Sequence, residues 1–274
     1  MKAEETGLDI RLLGTGAAWP CPRVGCPCDQ CKEAQKDSSH RRRRSVALIG
    51  GTILVDSGPD IHWQLLDLPP ESISRLEAIV ITHVHADHYL GLDDLSRALR
   101  DFHDKPLPVY CLADNWPYLE RTFSFLFVGG SGARSWEIPR FQHRSLELDQ
   151  PHEIGGMTLT PFDTHHTRQF TTCGIACTRD SSRIVYSPDA AKIESSAAQE
   201  ADIFVIDATE LDTSNVSHFS IADAARTARD HNARRTVLTH LGHYGVDSNV
   251  VRERAKACQV EVAHDGLHLQ VAPR

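Results

Sequence analysis

Nowhere in this 274-residue chain do about 18 apolar residues run together, so no membrane-crossing helix is expected. No segment rich in glycine, serine or proline divides the chain, and no low-complexity tract occurs. The length fits one large domain or two small ones, and we read 1–274 as a single domain. The N-terminus carries no apolar signal segment, so an oxidising compartment is not indicated and a cytoplasmic protein is expected. An excess of basic charge is also missing. Twenty-nine Lys and Arg face 37 Asp and Glu, a net charge of −8. That balance argues against non-specific nucleic-acid binding, which depends on neutralising many phosphates. The apolar content of 41% is ordinary for a globular enzyme.

What is there is concentrated in one run, Thr82-His83-Val84-His85-Ala86-Asp87-His88. It follows Ala78-Ile79-Val80-Ile81, a short β-branched stretch that reads as a buried strand. His83 and His85 are two apart and share a side on an extended segment. Imidazoles and a carboxylate converging at a strand end suit Zn²⁺, Mn²⁺ or Fe²⁺. A solvated, histidine-rich loop is the bland alternative, and spacing and context both speak against it. One such cluster supplies at most four ligating groups, whereas two catalytic metals need about three protein ligands each.

This HxHxDH pattern resembles the metal motif of the metallo-β-lactamase superfamily. Other segments follow in the order that superfamily uses. Ile53-Leu54-Val55-Asp56-Ser57-Gly58 is an apolar strand ending in an acid. Asp56 resembles the family's first aspartate, which orients ligands, and alone it would read as a turn cap. Asp163-Thr164-His165-His166 offers two histidines where the family has one. His166 is the preferred ligand, with His165 as the alternative. Arg183-Ile184-Val185-Tyr186-Ser187-Pro188-Asp189 ends in the acid expected to bridge two metals, and Val237-Leu238-Thr239-His240 supplies the last histidine. The resemblance implies that His83, His85 and His166 hold one metal, that Asp87, His88 and His240 hold the other, and that Asp189 bridges. The ordered set covers roughly residues 8 to 270 and is far more specific than any single segment.

A second metal is indicated by Gly25-Cys26-Pro27-Cys28-Asp29-Gln30-Cys31, with Cys21 just upstream. Thiolates this close can converge on one tetrahedral zinc. Disulfides or unrelated buried thiols are the weaker readings. Cys21 and His243 compete for the fourth position. A CxCxxC loop together with a histidine three residues after the final catalytic histidine resembles the phosphodiesterase family of the carbon–phosphorus lyase pathway, which hydrolyses phosphoribosyl cyclic phosphate. That likeness implies a structural zinc on Cys26, Cys28, Cys31 and His243, fixing His240 through the loop they share. Cys111, Cys173, Cys177 and Cys258 read as small buried hydrophobes.

Strands are expected near 8–13, 45–49, 52–56, 78–82, 107–111, 157–162, 173–178, 183–186, 203–207, 236–239 and 260–263. Helices are expected near 29–36, 92–103, 114–124, 190–199, 220–231 and 248–257, with Ser220 a good helix cap. Alternation alone allows several α/β folds; the superfamily resemblance implies a four-layer αββα sandwich, with an internal symmetry that the residues themselves do not display. Region 112–156 is rich in aromatics and interrupted at Gly129-Gly130-Ser131-Gly132. It reads equally as an ordinary helix, loop and hairpin or as a lid or dimer-contact insertion. The basic run Arg41 to Arg44 reads as a solvated connection, with a phosphate-recognition patch as the sharper alternative.

The expected chemistry is hydrolysis of a small sugar or nucleoside phosphate diester, preferably a cyclic one, by a two-metal centre. Catalytic roles fall to His218, Asp87 and Asp56. His218 resembles the non-ligand histidine that related phosphodiesterases place near the leaving oxygen, and Glu210 is the candidate to orient it. A homodimer is an analogy with the family. The competing readings are a transfer-RNA 3′-processing endonuclease and a PQQ-biosynthesis-like metalloprotein of the same superfamily, or a non-catalytic metal-binding module.

Overall fold

The computed structural model describes residues 7–130 and 140–271. In chain order its first half comprises β1 (Asp9–Gly14), α1 (Asp29–Lys36), β2 (Val46–Ile49), β3 (Ile53–Val55), α2 (Ile61–Leu66), α3 (Pro70–Ser74), β4 (Ala78–Val80), α4 (Ala86–Tyr89), α5 (Leu92–Ala98), β5 (Leu107–Leu112), α6 (Trp116–Phe123) and β6 (Phe141–Leu146). The second half comprises β7 (His152–Ile154), β8 (Met157–Asp163), β9 (Cys173–Arg179), β10 (Ser182–Ser187), β11 (Ile203–Asp207), α7 (Ile221–Asp230), β12 (Thr236–Thr239), α8 (Ser248–Ala257), β13 (Glu261–Val262) and β14 (His268–Gln270).

The strands form two seven-stranded sheets with one pairing scheme used twice. From β1 the first sheet pairs antiparallel through β2 and β3, then parallel through β4, β5 and β6. From β8 the second pairs antiparallel through β9 and β10, then parallel through β11, β12 and β13. The outer partners are β14 on β1 and β7 on β8, both antiparallel. The internal symmetry therefore exists in topology although the sequence hides it.

Both faces of the central strands are buried, so they read as unbroken apolar runs. In β3 and β4, Ile53, Val55 and Val80 enter the core between the sheets, where Ile184, Tyr186 and Val205 meet them. Leu54 and Ile79 point the other way, against α2, α5 and α6. In β11, Phe204 and Ile206 pack outward under α7 and α8. The layers are thus helix, sheet, sheet, helix, the expected αββα sandwich. Among the described residues no helix is long and apolar enough to cross a membrane.

Several expectations need correction. The helix expected over 190–199 is an irregular segment with one 3₁₀ turn, Ser196–Ala198, capped by the Ser195 side chain. Adjacent serines favour such local side-chain bonding over a helix interior. The short helices α2 to α4 and the strand β14 were not anticipated, being too short or too polar to show a period, and β6 and β7, which fall where a hairpin was one reading, join different sheets instead. Of region 112–156, the described part contributes α6 and two edge strands, β6 at one edge of the first sheet and β7 at one edge of the second. Its Ser131 and Gly132, with Arg134 and Trp136, lie outside the described residues.

One close approach positions the site. A Cβ at Gly58 would sit 2.0 Å from the Asp87 carbonyl oxygen, and one at Gly91 2.0 Å from that of Gly58. The loop after β3 can touch the loop after β4 only because both residues lack a side chain. Gly58→Ala is expected to cost roughly 1–3 kcal/mol in urea unfolding, the usual range for overpacking, and to weaken metal retention. Parent-like values for both would show that the close approach is dispensable.

Candidate metal centre

The candidate donors stand at the exits of strands. β3 runs into Asp56 at φ +67° and β12 into His240 at φ +51°. Left-handed backbone at non-glycine residues persists where the surroundings impose it, commonly at functional sites. After β4, an extended stretch carries His83 and His85, and the single turn α4 adds Asp87 and His88. His165 takes φ +51°, so the chain turns there rather than continuing extended. Its side chain faces outward, 3.4 Å from both Asp163 and Glu194, while His166 is buried among the other histidines.

Three ring nitrogens meet in one group. His83 Nε2 and His166 Nε2 each lie 3.0 Å from His85 Nδ1. The Nδ1 of His166 donates to the Ser217 carbonyl at 2.8 Å, so its Nε2 carries a lone pair. Such donors repel one another unless a cation lies among them. Separations near 3 Å are those of atoms sharing a cation at about 2 Å. In the second group, His88 Nε2 lies 3.2 Å from Asp87 Oδ2, and His240 Nε2 lies 3.5 Å from the same oxygen. Asp189 stands between the groups. Its Oδ2 is 2.9 Å from His88 Nε2 and 3.2 Å from His240 Nε2, and its Oδ1 is 3.5 Å from His166 Nε2. His88 Nε2, His240 Nε2 and Asp189 Oδ2 are buried without a hydrogen-bond partner. Buried polar atoms are costly to leave unpaired, and the N/O donor set fits divalent zinc, manganese or iron.

The electrostatics agree. Burial pushes His83, His85 and His166 below the usual imidazole range, into the neutral form a ligand needs. Burial would also lower His88 and His240, but the carboxylates of Asp87 and Asp189 override it, and His240 is pushed up to about 10. Burial opposes charge on Asp189, yet His240 and His88 hold it ionised. This site demands positive charge, and protons and divalent cations compete to supply it.

Asp56 makes no approach to the two groups with its own oxygens free. It accepts from the Thr82 backbone N–H at 2.8 Å and from the Thr82 hydroxyl, and the His88 Nδ1–H donates to it at 2.7 Å. It therefore fixes the His88 tautomer. Asp207 does the equivalent on the other side, and sequence reasoning missed it. It accepts from the Thr209 hydroxyl at 2.6 Å, which bonds His240 Nδ1 at 2.8 Å, and its other oxygen is 3.0 Å from His218 Nδ1. The available signal was an apolar strand ending in an acid, the pattern that singles out Asp56. Glu210 does not orient His218; its carboxylate accepts from the Asn215 amide at 2.7 Å instead. His218 itself lies beside the cluster, its ring 4.6 Å from that of His166 and stacked on His240 at 5.4 Å.

The cysteines form a separate group. His243 Nε2 lies 3.4, 3.2 and 3.2 Å from the sulfurs of Cys26, Cys28 and Cys31. These four side chains could together hold a metal ion, and Cys₃His is a common zinc set. Cys21 is not in the group; its thiol is buried 3.8 Å from the Gln30 carbonyl. Cys28 caps α1, its sulfur accepting from the Cys31 N–H, which places the sulfurs together at a helix start. Gln30 clamps the histidine loop, donating to the Gly242 carbonyl at 3.3 Å and accepting from the Gly245 N–H at 3.0 Å.

The histidine–aspartate cluster opens into a cavity of about 960 Å³ that Trp19, Arg23 and Val216 also line. Trp19 and Val216 are 63% and 91% exposed, so the mouth presents apolar surface beside the polar floor. The Arg23 guanidinium sits 4.7 Å from the Trp19 ring centroid.

A helix–sheet–sheet–helix sandwich with histidines and aspartates converging at its strand exits defines a metal-dependent hydrolase. This chain belongs to the beta-lactamase superfamily domain family, whose description matches residues 51–241. Among curated proteins it is 27% identical over 237 residues to an octanoyltransferase of Porphyromonas gingivalis, covering 85% of this chain and 46% of that protein. It is 25% identical over 319 residues to coenzyme PQQ synthesis protein B of Methylococcus capsulatus, covering 95% and 99%. Ribonuclease BN of Erwinia tasmaniensis is also 25% identical, covering 94% and 98%. A solved structure described as a new diphosphatase from the PhnP family superposes with a TM-score of 0.79 at 25% identity, covering 96% of this chain and 97% of that one.

Two substitutions separate the two donor groups. Asp56→Ala is expected to weaken metal binding at the histidine–aspartate cluster by about 10–100-fold, the usual effect of removing a partner that orients a ligand, with the cysteine group still loaded. Cys28→Ala is expected to abolish metal retention by the cysteine group and leave that of the histidine–aspartate cluster unchanged. Metal analysis after gel filtration checks both, and identical losses in the two variants would contradict the separation.

Proposed function

We propose that this protein is a two-metal phosphodiesterase acting on a small sugar or nucleoside phosphate diester, preferably a cyclic one. The observation that carries the reading is the Cys₃His group built onto the loop that bears His240, taken together with the intact HxHxDH run, because a Cys-rich N-terminal loop alone is shared with the PQQ-biosynthesis-like reading. The structural neighbour described as a diphosphatase supports chemistry at phosphorus. The net charge of −8 speaks against a grip on transfer RNA.

In this reading His83, His85 and His166 hold one divalent ion, Asp87, His88 and His240 hold the other, Asp189 serves both, and Cys26, Cys28, Cys31 and His243 hold a structural zinc. The catalytic ions, when bound, supply an activated water and neutralise charge on the phosphoryl oxygens. The protein's own residues do the rest. Asp207 holds His218 by its Nδ1 and leaves the Nε2 side of the ring for a substrate oxygen. Burial alone would lower the His218 pKa, but the Asp207 hydrogen bond and charge raise it above the ordinary imidazole value. A protonated ring is thereby favoured toward neutral pH, as a general acid for the leaving oxygen requires. The Asn215 side chain fixes the turn by accepting from the Ser217 and His218 N–H groups at 2.7 and 2.9 Å. His166 binds the same turn through the Ser217 carbonyl, so the acid and one metal ligand move together. Trp19 and Arg23 at the mouth suit a substrate with a flat or apolar part beside its phosphate.

The test is hydrolysis by metal-loaded protein of bis(p-nitrophenyl) phosphate, a ribose cyclic phosphate and a precursor transfer RNA. Cleavage of the small diesters is expected, and His218→Asn should lower kcat by about 10²–10⁴-fold with unchanged metal content. Cleavage of the RNA alone would transfer the reading to the processing nuclease. Inertness of fully loaded protein toward all three would overturn the phosphodiesterase assignment.

A further inference from the structure

A second cavity, of about 880 Å³, shares Tyr244 with the cavity of the metal centre. Its other walls are the 38–42 turn, one face of α8 and the 260–265 segment after it. Its charges are arranged unevenly. Each acid on the wall is already engaged. Glu33 accepts from the Ser248 N–H at 3.1 Å. Asp265 accepts from the Thr15 N–H and hydroxyl and from the Arg43 N–H. Glu261 holds Arg235 through both oxygens, at 2.7 and 2.8 Å.

The cations bond mainly to uncharged groups, although the charge of Asp265 acts on Arg42 and that of Arg252 on Asp247. Arg41 donates to the Ala34 carbonyl at 3.1 Å and Arg252 to the Asn249 side chain at 2.8 Å. Arg42 donates to the Thr15 hydroxyl at 2.9 Å and to the Ala263 carbonyl at 2.6 Å. Among the described residues, neither these three nor Lys256 forms an ion pair with a carboxylate. Arg252 and Lys256 stand four apart on α8, a like-charge spacing that weakens an isolated helix and that a bound anion would relieve. Beside them Val251, Val260 and Val262 provide an aliphatic surface.

The cavity also touches the loop that carries His240 and His243. Gln30 lines it while bonding both Gly242 and Gly245. Tyr244, on the shared wall, donates its hydroxyl to the Ala208 carbonyl, next to Thr209 of the Asp207–Thr209–His240 relay. A ligand seated against Gln30 and Tyr244 would favour one arrangement of that loop.

We propose that this cavity is an effector site for a phosphorylated small molecule of up to nucleotide size. Arg41, Arg252 and Lys256 meet the phosphate, the valines cover its less polar part, and occupancy is felt at the metal centre through the 240–246 loop. Guanidinium forks and an ammonium are the side chains that suit a phosphate dianion, and the cavity volume lies in the range of small-molecule sites.

The probe is AMP, titrated calorimetrically into the metal-loaded protein and into Arg252→Glu/Lys256→Glu. Both substituted residues are exposed and neither belongs to the metal centre, so metal content and hydrolysis without AMP should be unchanged. Because AMP can also bind the metal centre, the parent should show two classes of site and the variant one. Affinity at the lost site is expected to fall roughly tenfold or more, since two attractive charges become repulsive. The rate on whichever ester proves a substrate should respond to AMP in the parent in a way the variant lacks. Superimposable isotherms would overturn the site. Binding lost in the variant with no difference in the rate response would overturn its coupling to the metal centre. Neither outcome depends on which ester the enzyme prefers.

Discussion

Four carboxylates, those of Asp56, Asp87, Asp189 and Asp207, are buried together at one end of the sandwich. Buried anions are expensive unless positive charge and hydrogen bonds surround them. Everything around them answers that demand. Asp56 and Asp207 are satisfied by hydroxyls, backbone N–H groups and the outer nitrogens of His88 and His218. Asp87 and Asp189 face the inner nitrogens of His88 and His240 instead. Divalent cations resolve that inner cluster more completely than protons do, because each neutralises a carboxylate and accepts imidazole lone pairs together.

The fold supplies the geometry through repetition. In each sheet three antiparallel strands lead into parallel ones, and the exits of the parallel strands meet at the same end. Asp56 and the HxHxDH run leave β3 and β4; Asp189 and His240 follow β10 and β12, and Asp207 ends β11. The two halves thus contribute comparable loops, which is why donors 157 positions apart, His83 and His240, fall within one cluster. The Gly58 and Gly91 contact seals the first set of loops, and the Cys₃His group with Gln30 ties the last one to the N-terminal segment.

Much of this was legible in the residues. Unbroken β-branched runs reveal doubly covered strands, and the HxHxDH run stands at the end of one. Asp189 and His240 were findable because each closes such a run. The histidine doublet was harder. An extended chain would point His165 and His166 to opposite sides, but only the left-handed turn at His165 decides how far His166 is swung inward. Asp207 and Thr209 escaped notice because their partners, His218 and His240, are brought to them by tertiary structure. Glu210 looked the better neighbour for His218 by sequence distance alone, and β11 instead turns Asp207 toward it. Helix 190–199 failed for the opposite reason: the Ser195 side chain caps a single 3₁₀ turn there, and the chain then leads into β11. The repeat is invisible because it lies in strand pairing, which many sequences can satisfy.

The central claim is that the buried histidines and aspartates exist to hold two divalent ions, with a third ion on the cysteines. Anomalous diffraction from crystals of zinc-loaded protein tests it most directly. The account predicts three peaks: two about 3.5–4 Å apart with Asp189 between them, and one among Cys26, Cys28, Cys31 and His243. A fully occupied cysteine peak with no density among His83, His85, Asp87, His88, His166, Asp189 and His240 would contradict it.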